Sequence, residues 1–106
     1  MFNFNKETNW NNLDDGIARK ILSYNDEMMM VRVRFKKGSV GVAHQHKHTQ
    51  STFVIKGKFE FRIGNENKVI EAGDTCLIPA NVLHGCVCLE EGELLDIFTP
   101  LREDFL

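Results

Sequence analysis

Two glycine-bracketed stretches constrain this chain more than anything else in it. The first runs Gly38-x5-His44-x-His46-x3-Gln50-x6-Gly57 and the second Gly73-x5-Pro79-x-Asn81-x2-His84. His44 and His46 stand two apart, so on a strand both imidazoles point to one face. A third imidazole arriving from elsewhere, here His84, completes the kind of cluster with which a β scaffold holds a divalent metal. The plainer alternative is an exposed His-rich turn, and the run of His44, His46 and His48 alone does not separate the two.

The rest of the chain reads as all-β, with short apolar or alternating runs broken by Gly, Asn and Asp. Over 28–35, Met29, Val31, Val33 and Phe35 alternate with Arg32 and Arg34. Lys36-Lys37-Gly38-Ser39 is a turn, and 40–46 resumes a strand that carries the two histidines. Residues 52–56 lead through Gly57 to a second strand, 59–63, with Phe59, Phe61 and Ile63 on one face. Gly64 to Asn67 forms a polar hairpin turn before 68–71. Strand 75–78 stops at Pro79, which has no N–H to donate to a ladder. Strands 82–89 and 94–98 are separated by a turn at Glu90-Glu91-Gly92-Glu93.

About eight strands at hairpin spacing suit a small antiparallel jelly-roll barrel. Inward side chains of such a barrel converge on one cavity, so His44 and His46 meet His84 across the chain. A turn between His46 and Gln50 brings Gln50 in from the next strand. His48 shares the parity of His44 and His46 and competes as a ligand if the strand runs on. Residues 26–106 form the barrel, and 1–25 stand outside it as an N-terminal extension. In that extension 17–24 is a candidate extra strand, and Phe2, Phe4 and Trp10 are candidate packing anchors.

Composition narrows the function. A chain of 106 residues is one domain with one core. The net charge of −2, with Lys and Arg scattered, argues against a nucleic-acid footprint. No apolar run approaches the roughly 20 residues that span a membrane. The N-terminal residues lack the basic and apolar regions of a secretory signal, so a cytoplasmic protein is expected. Cys76, Cys86 and Cys88 then read as reduced, buried, small apolar residues. Cys86 and Cys88 as soft metal ligands are the alternative.

The two motifs, separated by 15 residues, resemble the cupin superfamily. That resemblance implies an antiparallel double-stranded β-helix, the cupin jelly-roll barrel. The ending Asp96-x-Phe98-x3-Arg102, together with Gln50, resembles the KdgF-like small cupins. These enzymes of pectin and alginate breakdown convert unsaturated monouronates into their linear keto form. The resemblance covers about residues 38–106. It implies that His44, His46, Gln50 and His84 hold the metal, and that Asp96, Phe98 and Arg102 line the pocket as acid/base, wall and carboxylate clamp. Three neutral imidazoles and an amide oxygen suit zinc, nickel, iron, manganese or copper without choosing among them. They leave the ion its full double charge, a strong Lewis acid toward hydroxyl, carboxylate or enolate oxygens. Two departures touch turn geometry and substrate detail: Asn81 replaces the motif's usual Gly, and Cys88 stands where Asn is frequent.

Each of the last three residues also has a plainer reading. Asp96 is then a strand-end residue paired with a surface cation, Arg102 belongs to a solvated tail, and Phe98 is core. The expected function is ring opening and ketonisation of a sugar acid by a metal-dependent enzyme. The alternatives are a non-catalytic small-ligand sensor and a metal-dependent dioxygenase. The expected partners are a small sugar-acid substrate and a second copy of the chain, with residues 1–25 pairing across a two-fold homodimer.

Overall fold

The alternation read from the sequence folds into antiparallel strands wrapped around one apolar interior. The structure is a computed structural model and describes residues 1–13 and 15–106. Eight strands follow in chain order: β1 (Asn11–Asn12), β2 (Ile17–Tyr24), β3 (Met29–Phe35), β4 (Val40–His44), β5 (Thr49–Ile63), β6 (Glu66–Glu71), β7 (Thr75–Ile78) and β8 (His84–Thr99). Short 3-10 turns at Asn5–Glu7 and Glu103–Phe105 complete the described elements. None of these elements is a helix long and apolar enough to cross a membrane.

Every strand pairing is antiparallel. β3 and β4 run in succession along one edge of β8, and β5 runs along its other edge. β6 and β7 line the far side of β5, while β2 flanks β3 and β1 flanks β2. The inward faces bury Phe35, Val54, Phe59, Phe61, Ile78, Cys86, Cys88 and Leu94 as one cluster. Phe35 and Phe59 meet edge to face at 5.2 Å, the arrangement that suits the ring quadrupoles. Met29, Val31 and Phe98 form a second cluster. This sheet wrapped on itself is the jelly roll that the motif spacing implies.

Two expected breaks are absent. Residues 52–56 and 59–63 lie in the single strand β5, and 84–89 and 94–98 lie in the single strand β8, which starts at His84 rather than at residue 82. What reads locally as a turn at Gly57, and another at Glu90 to Glu93, is a pair of facing bulges. The register of β5 against β8 shifts between Val54 and Phe59, and the extra residues bend both strands together. Gly57 sits at φ +88, and a Cβ there would lie 2.5 Å from the Gly92 Cα and 2.7 Å from the Glu91 carbonyl oxygen. Only two facing glycines let the backbones approach this closely.

Other expectations shift less. β4 stops at His44 rather than continuing to residue 46, and the β5–β6 hairpin turns on Gly64-Asn65 alone. Residues 17–24 do form a strand, which pairs with β3 from Ile17↔Phe35 to Tyr24↔Met29. Phe2 and Phe4 are exposed rather than packed into the core. Trp10 does pack, with the Arg34 guanidinium carbon 3.6 Å and the Arg32 carbon 5.2 Å from its ring centre.

Candidate metal centre

His44 ends β4 and His84 opens β8, and the two are register partners. The chain leaves the strand after His44, bends at Lys47-His48 and re-enters at Thr49. His46 therefore reaches the cluster from an irregular segment, not by strand alternation. Its backbone is fixed instead by the Asn81 N–H, which donates to the His46 carbonyl at 2.7 Å. Asn81 adopts φ +65, the left-handed region where Asn is the best tolerated residue after Gly. That accounts for the departure from the motif's glycine.

One ligating nitrogen from each of His44, His46 and His84 lies within 4.8 Å of the others. Ring centres are 4.5 Å apart for His44 and His84, 4.8 Å for His46 and His84, and 5.4 Å for His44 and His46. Each ring is oriented through Nδ1. His44 Nδ1 donates to the Val42 carbonyl at 2.9 Å, His84 Nδ1 to that of Val82 at 2.9 Å, and His46 Nδ1 to that of His48 at 3.0 Å. A carbonyl only accepts, so each neutral ring carries its proton on Nδ1 and leaves the Nε2 lone pair free. His84 Nε2 is buried with no partner, an orphan that an ion would satisfy. Burial holds the His46 and His84 pKa values below the usual imidazole range, and the neutral ring is the form that ligates a metal. These residues fit a divalent ion.

Gln50 extends the set. Its Oε1 lies 3.1 Å from His46 Nε2, while its amide N–H donates to Thr52 Oγ1 at 3.0 Å. The Thr52 hydroxyl in turn donates to Asp96 Oδ1 at 2.6 Å. The chain of donors fixes the amide: its nitrogen faces Thr52, so its oxygen must face the histidines. Asp96 is buried, and burial pushes its carboxyl up to about 6 despite the opposing pull of the Thr52 and Gln50 hydrogen bonds and the charge of Arg102. It is not paired with a surface cation.

His44, Gln50, His84, Asp96, Phe98 and Arg102 line one cavity of about 240 Å³, joined by Arg19 and Phe105. Arg102 is buried rather than part of a solvated tail, and its Nε and Nη2 donate to the Asp104 carboxylate at 3.1 and 2.9 Å. Phe98 serves both readings, because it is buried in the core and faces the cavity. A larger cavity of about 400 Å³ lies between Leu13, Ile17, Lys36, Lys56 and Glu91, away from the three-histidine group.

His48 lies outside that three-histidine group. Its Nε2 donates to the Leu101 carbonyl at 3.0 Å, so it fastens the C-terminal segment. The cysteines are free thiols, and burial pushes Cys86 up to about 12 and Cys76 to about 11. Neither Cys86 nor Cys88 belongs to the three-histidine group, and burial raises the Cys88 thiol too. Thr52, Arg19 and Phe105 escaped the sequence reading. Thr52 had one available signal, since it shares the inward parity of Gln50 on β5.

The sequence profile of the cupin domain matches residues 31–98. The chain is 46% identical over 102 residues to the pectin degradation protein KdgF of Dickeya dadantii (strain 3937), covering 94% of this chain and 93% of that one. Among solved structures it resembles KdgF from Halomonas sp., with a TM-score of 0.95, 37% identity and coverage of 100% and 98% of the two chains. It also resembles an RmlC-like cupin from Shewanella frigidimarina NCIMB 400, with a TM-score of 0.96, 39% identity and coverage of 99% and 95%.

Proposed function

Because the chain belongs to the cupin family and is of the KdgF kind, we propose that it converts unsaturated monouronates to their linear keto form. The observation that carries this reading is a buried carboxyl, Asp96, poised near neutrality on the small cavity that His44 and His84 also line, with His46 completing the three-imidazole cluster and His84 Nε2 buried without a partner. A cavity of this size falls below the ~300–1,000 Å³ of drug-sized sites and suits one sugar ring.

The substrate is a cyclic hemiacetal whose C4=C5 double bond adjoins a carboxylate. Held by His44, His46, Gln50 and His84, a divalent ion supplies Lewis-acid charge for sugar oxygens. Asp96 accepts the proton of the anomeric hydroxyl as the C1–O5 bond breaks, which leaves an aldehyde at C1 and an enolate at O5. The same carboxyl returns the proton to C4, and C5 becomes the ketone. Substrate and product are isomers, so no oxidant, reductant or water is consumed. A carboxyl titrating near 6 both gives and takes a proton near neutral pH. Arg102 uses Nε and Nη2 on Asp104, which leaves Nη1 for the sugar carboxylate. Phe98 packs edge to face with Phe105 at 5.6 Å and with His46 at 5.9 Å, forming a rigid apolar wall.

The test follows the conjugated C4=C5 absorbance after metal-loaded protein is added to unsaturated galacturonate or mannuronate. Loss well above the spontaneous rate is expected. Fully loaded protein that never outpaces spontaneous opening refutes the enzyme reading and favours a sensor.

A further inference from the structure

Arg19 reaches the cavity from β2, outside residues 31–98 that match the cupin-domain profile. Its neighbours account for its placement but not for its charge. Its guanidinium carbon lies 3.8 Å from the centre of the Phe105 ring, and that of Arg102 lies 4.2 Å from the same centre. Two like charges thus share one aromatic platform at the cavity wall. The acid hydrogen-bonded there, Asp104, gives both carboxylate oxygens to Arg102. Arg19 Nε is buried with no acceptor. Burial and the neighbouring charge of Arg102 both weaken the protonated form of Arg19, and the smaller pull of Asp104 does not offset them. A buried cationic donor without an acceptor is costly, and an anion entering the cavity removes that cost. The ligand set of three imidazoles and an amide is neutral, which leaves Asp96 as the one acid on the cavity wall among the described residues.

We propose that Arg19 is the second arm of a carboxylate-binding pair with Arg102, so that β2 helps to make this site specific for an acidic sugar. The inference rests on the proposed function in taking a uronate as the ligand. Phe105 holds both forks at the wall, and the sugar carboxylate accepts from Arg19 Nε and from the free edge of Arg102.

Metal-loaded full-length protein is titrated by calorimetry with D-galacturonate and separately with its uncharged methyl ester. KM and kcat on unsaturated galacturonate are measured alongside. Arg19→Gln is expected to weaken galacturonate binding roughly 10- to 150-fold, the loss of one charge-assisted contact, while ester binding stays within about two-fold of wild type. KM should rise by a similar factor with kcat within about three-fold. Arg19→Lys keeps the charge without the fork and should fall between the two. Unchanged galacturonate binding in Arg19→Gln overturns the proposal. So does an equal loss for acid and ester, which marks Arg19 as a mere support for Phe105, and so does wild type that binds the acid no better than the ester. If wild type fails to turn over the unsaturated sugar yet binds galacturonate through Arg19, the reaction falls and this inference stands. Normal turnover with an indifferent Arg19→Gln is the reverse.

Discussion

Asp96→Asn separates the ionisation of the buried carboxyl from everything else in the site. Burial raises the Asp96 carboxyl from an ordinary 3.8 to about 6, so the folded state disfavours its ionised form. At 1.36 kcal/mol per unit, that difference amounts to about 3 kcal/mol. Well below pH 3.8 both folded and unfolded chains carry the protonated acid, and nothing is lost. As pH rises toward 6 the unfolded chain ionises first, and the folded protein loses stability until Asp96 ionises too. Asparagine does not titrate, so the variant escapes this loss. Its stability relative to wild type should climb by about 3 kcal/mol over the whole window, roughly half of it between pH 5 and 7.5. Urea unfolding of both proteins, with a chelator present to remove metal, measures the difference at each pH. The changed hydrogen bond to Thr52 contributes an offset that does not vary with pH and cancels. A stability difference that stays flat, or that favours wild type as pH rises, refutes the burial argument. The same substitution should lower kcat about 10²–10⁴-fold with little change in KM, because it removes the transferable proton.

Elemental analysis of protein purified without a histidine tag should find metal near one ion per chain. His84→Ala should lose most of it and His48→Ala should keep it; the opposite pattern refutes the ligand assignment. Gly57→Ala should cost roughly 2–4 kcal/mol in chemical denaturation, from left-handed strain and the forced separation of β5 and β8. A loss below about 1 kcal/mol would contradict the facing-glycine account of the bend. Light scattering at micromolar concentration should give twice the 12.2 kDa chain mass, since Phe53, Ile55 and Leu77 remain exposed on the outer sheet. A monomer mass removes the homodimer.

The convergence of His44, His46 and His84 was legible because metal chemistry admits few residue types and a barrel fixes their spacing. The strands near the motifs were legible because alternation needs only local sequence. Continuity at Gly57 and Gly92 was not. Glycine flanked by charged residues is the local signature of both a hairpin turn and a bulge. Only the pairing of β5 with β8, more than thirty positions away, decides between them. Thr52 and Arg19 were hidden for the same reason. Thr52 matters because the register sets it opposite Asp96, and Arg19 because a strand from the N-terminal extension pairs in register with β3. Neither belongs to a motif.

Asn81 shows how a departure from a motif becomes readable once its physical demand is known. The position needs a left-handed backbone, and its N–H must reach the His46 carbonyl at 2.7 Å. Glycine meets both demands freely. Asparagine meets them at small cost, because its short polar side chain tolerates that region. A β-branched residue would resist the left-handed conformation and push the N–H away from His46. The sequence constraint at residue 81 is therefore a constraint on the reach of an imidazole contributed 35 positions earlier. That is why His46 enters the cluster although its own strand has already ended.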